Sequence, residues 1–156
     1  MAVVCSIGEA KILSHIYNFF EFVTIRVDME INFLAAFIAS FTGLILGYLW
    51  YSVFFAKSWQ KLAGVSESQM KNGMPKRALG SYLLTLVMAL NLAAFIGPGQ
   101  SASFGLFAGL AAGLGWVGMA LGSNYLFEHR PLKLYFINAG YNIILLSLMG
   151  LIIGLF

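Results

Sequence analysis

The sequence predicts an all-α fold, an integral membrane four-helix bundle, and three observations carry that reading. Hydrophobic residues make up 60% of the 156 and charged residues only 10%, against roughly 45–50% and about 25% in soluble globular domains. The apolar residues are gathered into four long blocks. At about 1.5 Å per helical residue each approaches or exceeds a hydrocarbon core of about 30 Å. No Asp, Glu, Lys or Arg lies in the middle of any block.

In chain order, residues 1–28 differ from the rest. They carry Glu9, Lys11, Glu21, Arg26 and Asp28, while Ile12, Ile16, Phe19, Phe20 and Val23 recur at helical spacing. That pattern allows an amphipathic helix lying in the membrane interface. Glu9 and Lys11 interrupt the apolar run early and no small-residue cleavage motif follows, so the segment is a poor signal peptide. The first span follows Met29 directly. Residues 1–28 are therefore read as an extension, dispensable or preceding the true start, and 29–156 as the transmembrane domain.

The first span covers 31–55 (INFLAAFIASFTGLILGYLWYSVFF) and holds no charge. Residues 56–78 form the only sizeable loop. Within it Trp59, Leu62 and Val65 lie three apart with Lys57 and Lys61 between them, which predicts a short helix at the interface. Ser66 with Gln69 matches a capping box, and Asn72-Gly73 reads as a helix stop. The lysines of this loop are placed to meet anionic headgroups, and a solvated connector with an aromatic anchor is the alternative. The second span covers 79–97, the third 104–127 and the fourth 131–156, with Lys133 in its first turn. Only Glu128, His129 and Arg130 separate the last two, which forces an antiparallel hairpin. Pro75, Pro98 and Pro131 all fall at or outside span limits, where a missing N–H costs nothing.

The basic residues predict orientation. The 56–78 loop holds Lys57, Lys61, Lys71, Lys76 and Arg77, and the 128–133 turn holds Arg130 and Lys133, together seven of nine Lys and Arg. The link from Pro98 to Ser103 is uncharged. The positive-inside rule then puts both charged loops in the cytoplasm and both termini outside.

Glycines are patterned for packing. Gly43 with Gly47, and Gly150 with Gly154, form G-x-x-x-G in spans one and four, while Gly105, Gly109 and Gly113 recur at i, i+4 and i+8 in span three, followed by Gly118 and Gly122. Lipid tails are as apolar as leucine, so helices associate through close approach, which small residues permit. Gly115 and Gly118 do not align with the Gly105 stripe. Small residues on more than one face suit a central helix, or one that also serves a homo-oligomer interface.

The polar groups of the spans are amides. Asn91 lies in span two, Asn124 in span three, and Asn138 and Asn142 in span four, where they share a face with Tyr141 beside them. Two readings are open. These amides satisfy one another across helices, or they form a small polar pocket rimmed by Trp50, Tyr51, Glu128, His129 and Arg130 that takes a neutral or amphipathic solute. Coupled transport would call for an ionisable group at depth.

Cys5 is the only cysteine, and His15 and His129 have no second ligand at metal spacing, so no metal site or cofactor is expected. The net charge of +3 and the lack of exposed aromatics among basic residues argue against nucleic acid. No nucleophile–base pair or paired carboxylates point to an enzyme. The segments LGYLWYSVFFAKSW (Leu46 to Trp59) and NYLFEHRPLKLYFINAGYN (Asn124 to Asn142) resemble the signatures of small bacterial membrane proteins grouped as domain of unknown function 1761. The resemblance spans Met29 to Phe156 and implies a four-helix membrane protein, with no catalytic residues to carry over. The expected partners are membrane lipid and a second copy or another membrane protein. The expected role is a non-enzymatic one in packing or assembly, with an uncoupled carrier or channel as the alternative.

Overall fold

The computed structural model describes residues 30–156. The helix expected within residues 1–28, and the reading of Met29 as the start, lie outside the described residues. The Asn32 side chain accepts from the Ala35 N–H at 3.0 Å and opens α1, Phe33–Phe54. The final stretch of α1, Leu49–Phe54, is wound as π-helix. Two short helices follow, α2 (Ala56–Ala63) and α3 (Glu67–Lys71). The long helices α4 (Met74–Ile96), α5 (Ala102–Phe127) and α6 (Leu132–Ile153) complete the described residues. Together with α1 they are, among the described residues, the four helices long and apolar enough to cross a membrane. The described residues thus form an all-helical, four-helix membrane bundle.

The expected limits hold to within a few residues except at α4, which begins at Met74 rather than near 79. Pro75 sits in its first turn, where a missing N–H leaves no gap, so the helix extends past the apolar block and carries Lys76 and Arg77 outward. The loop forms two helices because Gly64, at φ +69°, ends α2 in the left-handed region. The capping box is present, with the Gln69 N–H on Ser66 Oγ at 3.2 Å and the Ser66 N–H on Gln69 Oε1 at 2.8 Å. Asn72 caps α3, and Gly73, at φ +69°, reverses the chain into α4.

Helix α6 is the centre of the bundle and packs on α1, α4 and α5. Its buried share is 39%, against 28% for each of the other long helices. Of the two readings of span three, this overturns the central helix: α5 packs chiefly on α6 and little on α4. Between α5 and α6 the backbones touch. Gly105 and Gly150 face each other, Gly109 meets the Leu146 carbonyl, and a Cβ on Gly113 would lie 2.8 Å from Ile143 Cα. A Cβ on Gly154 would lie 2.9 Å from Ala102 Cα.

Residues Ala112–Gly118 of α5 are also π-wound, and that winding explains the misaligned glycines. A π turn closes its hydrogen bond at i+5, so Gly118 returns to the face of Gly113 and is buried beside the Ile143 side chain, 3.8 Å away. Gly122 then meets the Tyr135 ring at 3.2 Å. Gly105, Gly109, Gly113, Gly118 and Gly122 thus make one continuous stripe on α6. Gly115 alone faces open space, with nothing within 4 Å of an added Cβ.

In α1, Gly43 packs against Thr85 of α4 and Gly47 against Tyr141 of α6. At the end away from the basic loops the core is tight and alanine-rich. Ala35, Ala36, Ala39, Ala89 and Ala93 are buried with Leu92, Ile96, Leu145, Met149 and Ile153. The one fully buried hydroxyl at this end, Ser40, bonds the Phe37 carbonyl of its own helix, and the polar groups that join helices lie toward the other end.

Candidate functional site

The site is built around Asn138, one and a half turns into α6. Its Oδ1 accepts from the Tyr51 hydroxyl at 3.0 Å and from Trp59 Nε1 at 3.1 Å. Its Nδ2 donates to the Tyr125 hydroxyl at 2.7 Å. One amide therefore ties α1, α2 and α5 to the central helix. The π-wound end of α1 directs two adjacent rings at α6: Tyr51 reaches Asn138, and Trp50 Nε1 donates to the Ile137 carbonyl at 2.9 Å. The Tyr141 hydroxyl donates to the Gly43 carbonyl at 3.2 Å, and its ring lies 5.0 Å from that of Tyr51. Trp59 completes the cluster with its ring 5.2 Å from Tyr51 in an edge contact.

Of the amides singled out from the sequence, only Asn138 and Asn142 are partly buried within the bundle, and only Asn138 joins helices together. Asn142 Nδ2 turns back to the Asn138 carbonyl on its own helix at 2.8 Å. Asn91 is exposed and donates to the Val87 carbonyl of its own helix at 2.8 Å. Asn124 is also exposed, and its side chain makes no hydrogen bond among the described residues. Neither is part of the cluster: both lie on outward faces, Asn91 next to buried Leu92 and Asn124 next to inward-turned Tyr125.

The expected rim divides in the same way. Trp50 and Tyr51 line the interior, whereas Glu128, His129 and Arg130 are exposed in the α5–α6 turn. His129 adopts φ +53° there, and the Arg130 N–H closes the turn on the Tyr125 carbonyl at 3.0 Å. Arg130 Nε pairs with Glu128 Oε2 at 3.1 Å.

Two grooves flank the cluster. One, of about 670 Å³, lies between α5 and α6 and is lined by Tyr125, Tyr135, Gly122, His129 and Arg130. The other, of about 480 Å³, lies between α1 and α4, with Tyr51, Trp59 and Tyr141 in its wall and Arg77 at its edge.

Of the partners of Asn138, Tyr51 stands in the rim expected from the sequence, whereas Tyr125 and Trp59 are not among the expected site residues. Tyr125 is adjacent to the amide expected at that level, and Trp59 lies in a loop segment. The one signal for Trp59 is its place on the apolar side of a short amphipathic helix, which points it inward as readily as toward lipid.

The two segments carrying the family resemblance meet in this cluster. Leu46 to Trp59 supplies Trp50, Tyr51 and Trp59, and Asn124 to Asn142 supplies Tyr125, Asn138 and Tyr141. The model of a family described as protein of unknown function, DUF1761, matches residues 34–154. The chain belongs to the DUF1761 family. No curated protein and no solved structure matches it. The DUF1761 match covers all four long helices and both short ones, so the loop helix that brings Trp59 to Asn138 falls within the family domain.

Proposed function

We propose that this DUF1761 protein is a non-enzymatic protein of the bacterial inner membrane that works by helix packing, as a homo-oligomer joined through the outer face of α5. The observation that carries the reading is a second small-residue stripe. Ala111, Gly115 and Ala120 are exposed. They follow the buried glycines of α5 two positions along, and the stripe ends at the exposed Asn124. Small residues allow a second helix to approach closely, and an amide both donates and accepts, so two copies of Asn124 can satisfy each other in lipid. The basic loops support a cytoplasmic position for the 56–78 and 128–133 segments, with both ends of the bundle outside.

The alternative, an uncoupled carrier using the Asn/Tyr layer, is less well supported. Both acceptor directions of Asn138 Oδ1 and one Nδ2 hydrogen are already engaged by the chain's own side chains, which suits a structural joint better than a solute site.

Gly115→Leu tests the proposal, because an added side chain meets nothing within 4 Å in the chain itself. Cross-linking and single-molecule photobleaching in lipid nanodiscs should find the unaltered chain as an oligomer and Gly115→Leu as a folded monomer. A monomeric unaltered chain would sink the idea.

A further inference from the structure

The groove between α1 and α4 differs from the Asn138 cluster in what it leaves unsatisfied. Three donors in its wall are already used: the Tyr51 hydroxyl and Trp59 Nε1 on Asn138, and the Tyr141 hydroxyl on the Gly43 carbonyl. Along that part of the wall a polar solute would find little to bond, and an acyl chain needs nothing. Gly47 leaves the floor open, since a Cβ there would first meet the Tyr141 hydroxyl at 3.4 Å. Met70 and Met74, both adaptable side chains, close the end nearest the loop helices.

The edge of the groove carries an uncompensated charge. Arg77 Nη1 is pinned to the Gln69 carbonyl, and among the described residues the guanidinium faces no carboxylate. The carboxylates of Glu67 and Glu128 are taken by Lys71 and Arg130. Four of the five guanidinium N–H donors of an arginine remain, held in place where the groove meets the basic loop. The Ser81 hydroxyl lies one turn further along α4 from this charge, and Ser52 also lines the groove. Cation, hydroxyls and apolar wall in one groove suit a phospholipid laid lengthwise.

We propose that the groove holds one molecule of anionic phospholipid, its headgroup phosphate on Arg77 and an acyl chain along the Gly47–Tyr141 floor. The site does not depend on the oligomer proposed above. It is a built site rather than a diffuse attraction, because charge and apolar channel are contiguous and the guanidinium is fixed by the α3 backbone.

The test is native mass spectrometry of the full chain released from nanodiscs of phosphatidylcholine containing a minor share of phosphatidylglycerol. One phosphatidylglycerol should be retained per chain in preference to phosphatidylcholine. Arg77→Gln should lower that retention about tenfold, as loss of a charge-assisted hydrogen bond implies. Ser81→Trp keeps every charge but fills the groove, and should release the lipid too. Circular dichroism establishes that both variants fold, and if Ser81→Trp does not, the selectivity of the unaltered chain and the Arg77→Gln loss still decide. Equal retention of phosphatidylcholine would overturn the proposal. So would an equal loss with Lys57→Gln, retention in a folded Ser81→Trp chain, or displacement of the lipid by inorganic phosphate alone.

Discussion

Asn138 holds three side chains from three other helices with one amide. Replacing it by alanine removes those bonds and strands two hydroxyls and an indole N–H in a region poor in water. At about 0.6 kcal/mol for an average interhelical bond in a membrane, with the added cost of stranded donors, Asn138→Ala should destabilise the bundle by about 2 kcal/mol in a steric-trapping measurement. Asn91→Ala should change it by under about 0.5 kcal/mol, since that amide bonds only its own helix. A similar loss for both would mean the amide cluster contributes no joint. That these amides fall within the spans was legible from the limits of the apolar blocks. Which of them faces inward was not, because a single amide gives a helix no phase, and a π turn shifts whatever phase the flanking residues set.

At the scale of elements, α5 offers two glycines of opposite meaning. A valine at Gly109 would drive its Cβ into the Leu146 carbonyl region, backbone that cannot swing aside. Gly109→Val should therefore cost about 3 kcal/mol through overpacking and part α5 from α6, read as a lowered melting temperature and new cross-links between the pair. Gly115→Leu should leave the monomer fold intact. The stripe was visible in the sequence as far as Gly113, and its continuation was hidden by the five-residue step to Gly118, which reads as a second face only if the helix is regular throughout. The loop helix makes a further prediction. Trp59→Ala removes its bond to Asn138 and its contact with Tyr51, and should raise amide hydrogen exchange across Ala56–Ala63 about tenfold, the effect of a bond and an aromatic contact worth together about 1.5 kcal/mol. The capping box and the Asn72-Gly73 stop were legible because their chemistry is local. The docking of α2 was not, because its partner lies far along the chain.

For the whole molecule, the number of spans and the α5–α6 hairpin followed from block lengths and from the three residues between the last two blocks. That α6, rather than the glycine-marked α5, is central was not legible, since glycine permits approach without stating how many neighbours use it. Orientation is open to a direct measurement. With Cys5 replaced by alanine, a cysteine at Gln100 should react with an impermeant thiol reagent from the outside of intact cells, and one at Ser68 only after the membrane is opened; the reverse pattern would invert the bundle. The π-wound stretch of α5 has one further consequence, for the tolerance of the chain to changes in length. Deleting a residue within a membrane span ordinarily turns everything beyond it by about 100° and exposes the packed face. Here the stretch Ala112–Gly118 already carries one residue too many for a regular helix. Removing Gly115 would bring Gly113 and Gly118 to ordinary i, i+4 spacing, so the two ends of α5 would keep their shared face on α6 with one residue fewer between them.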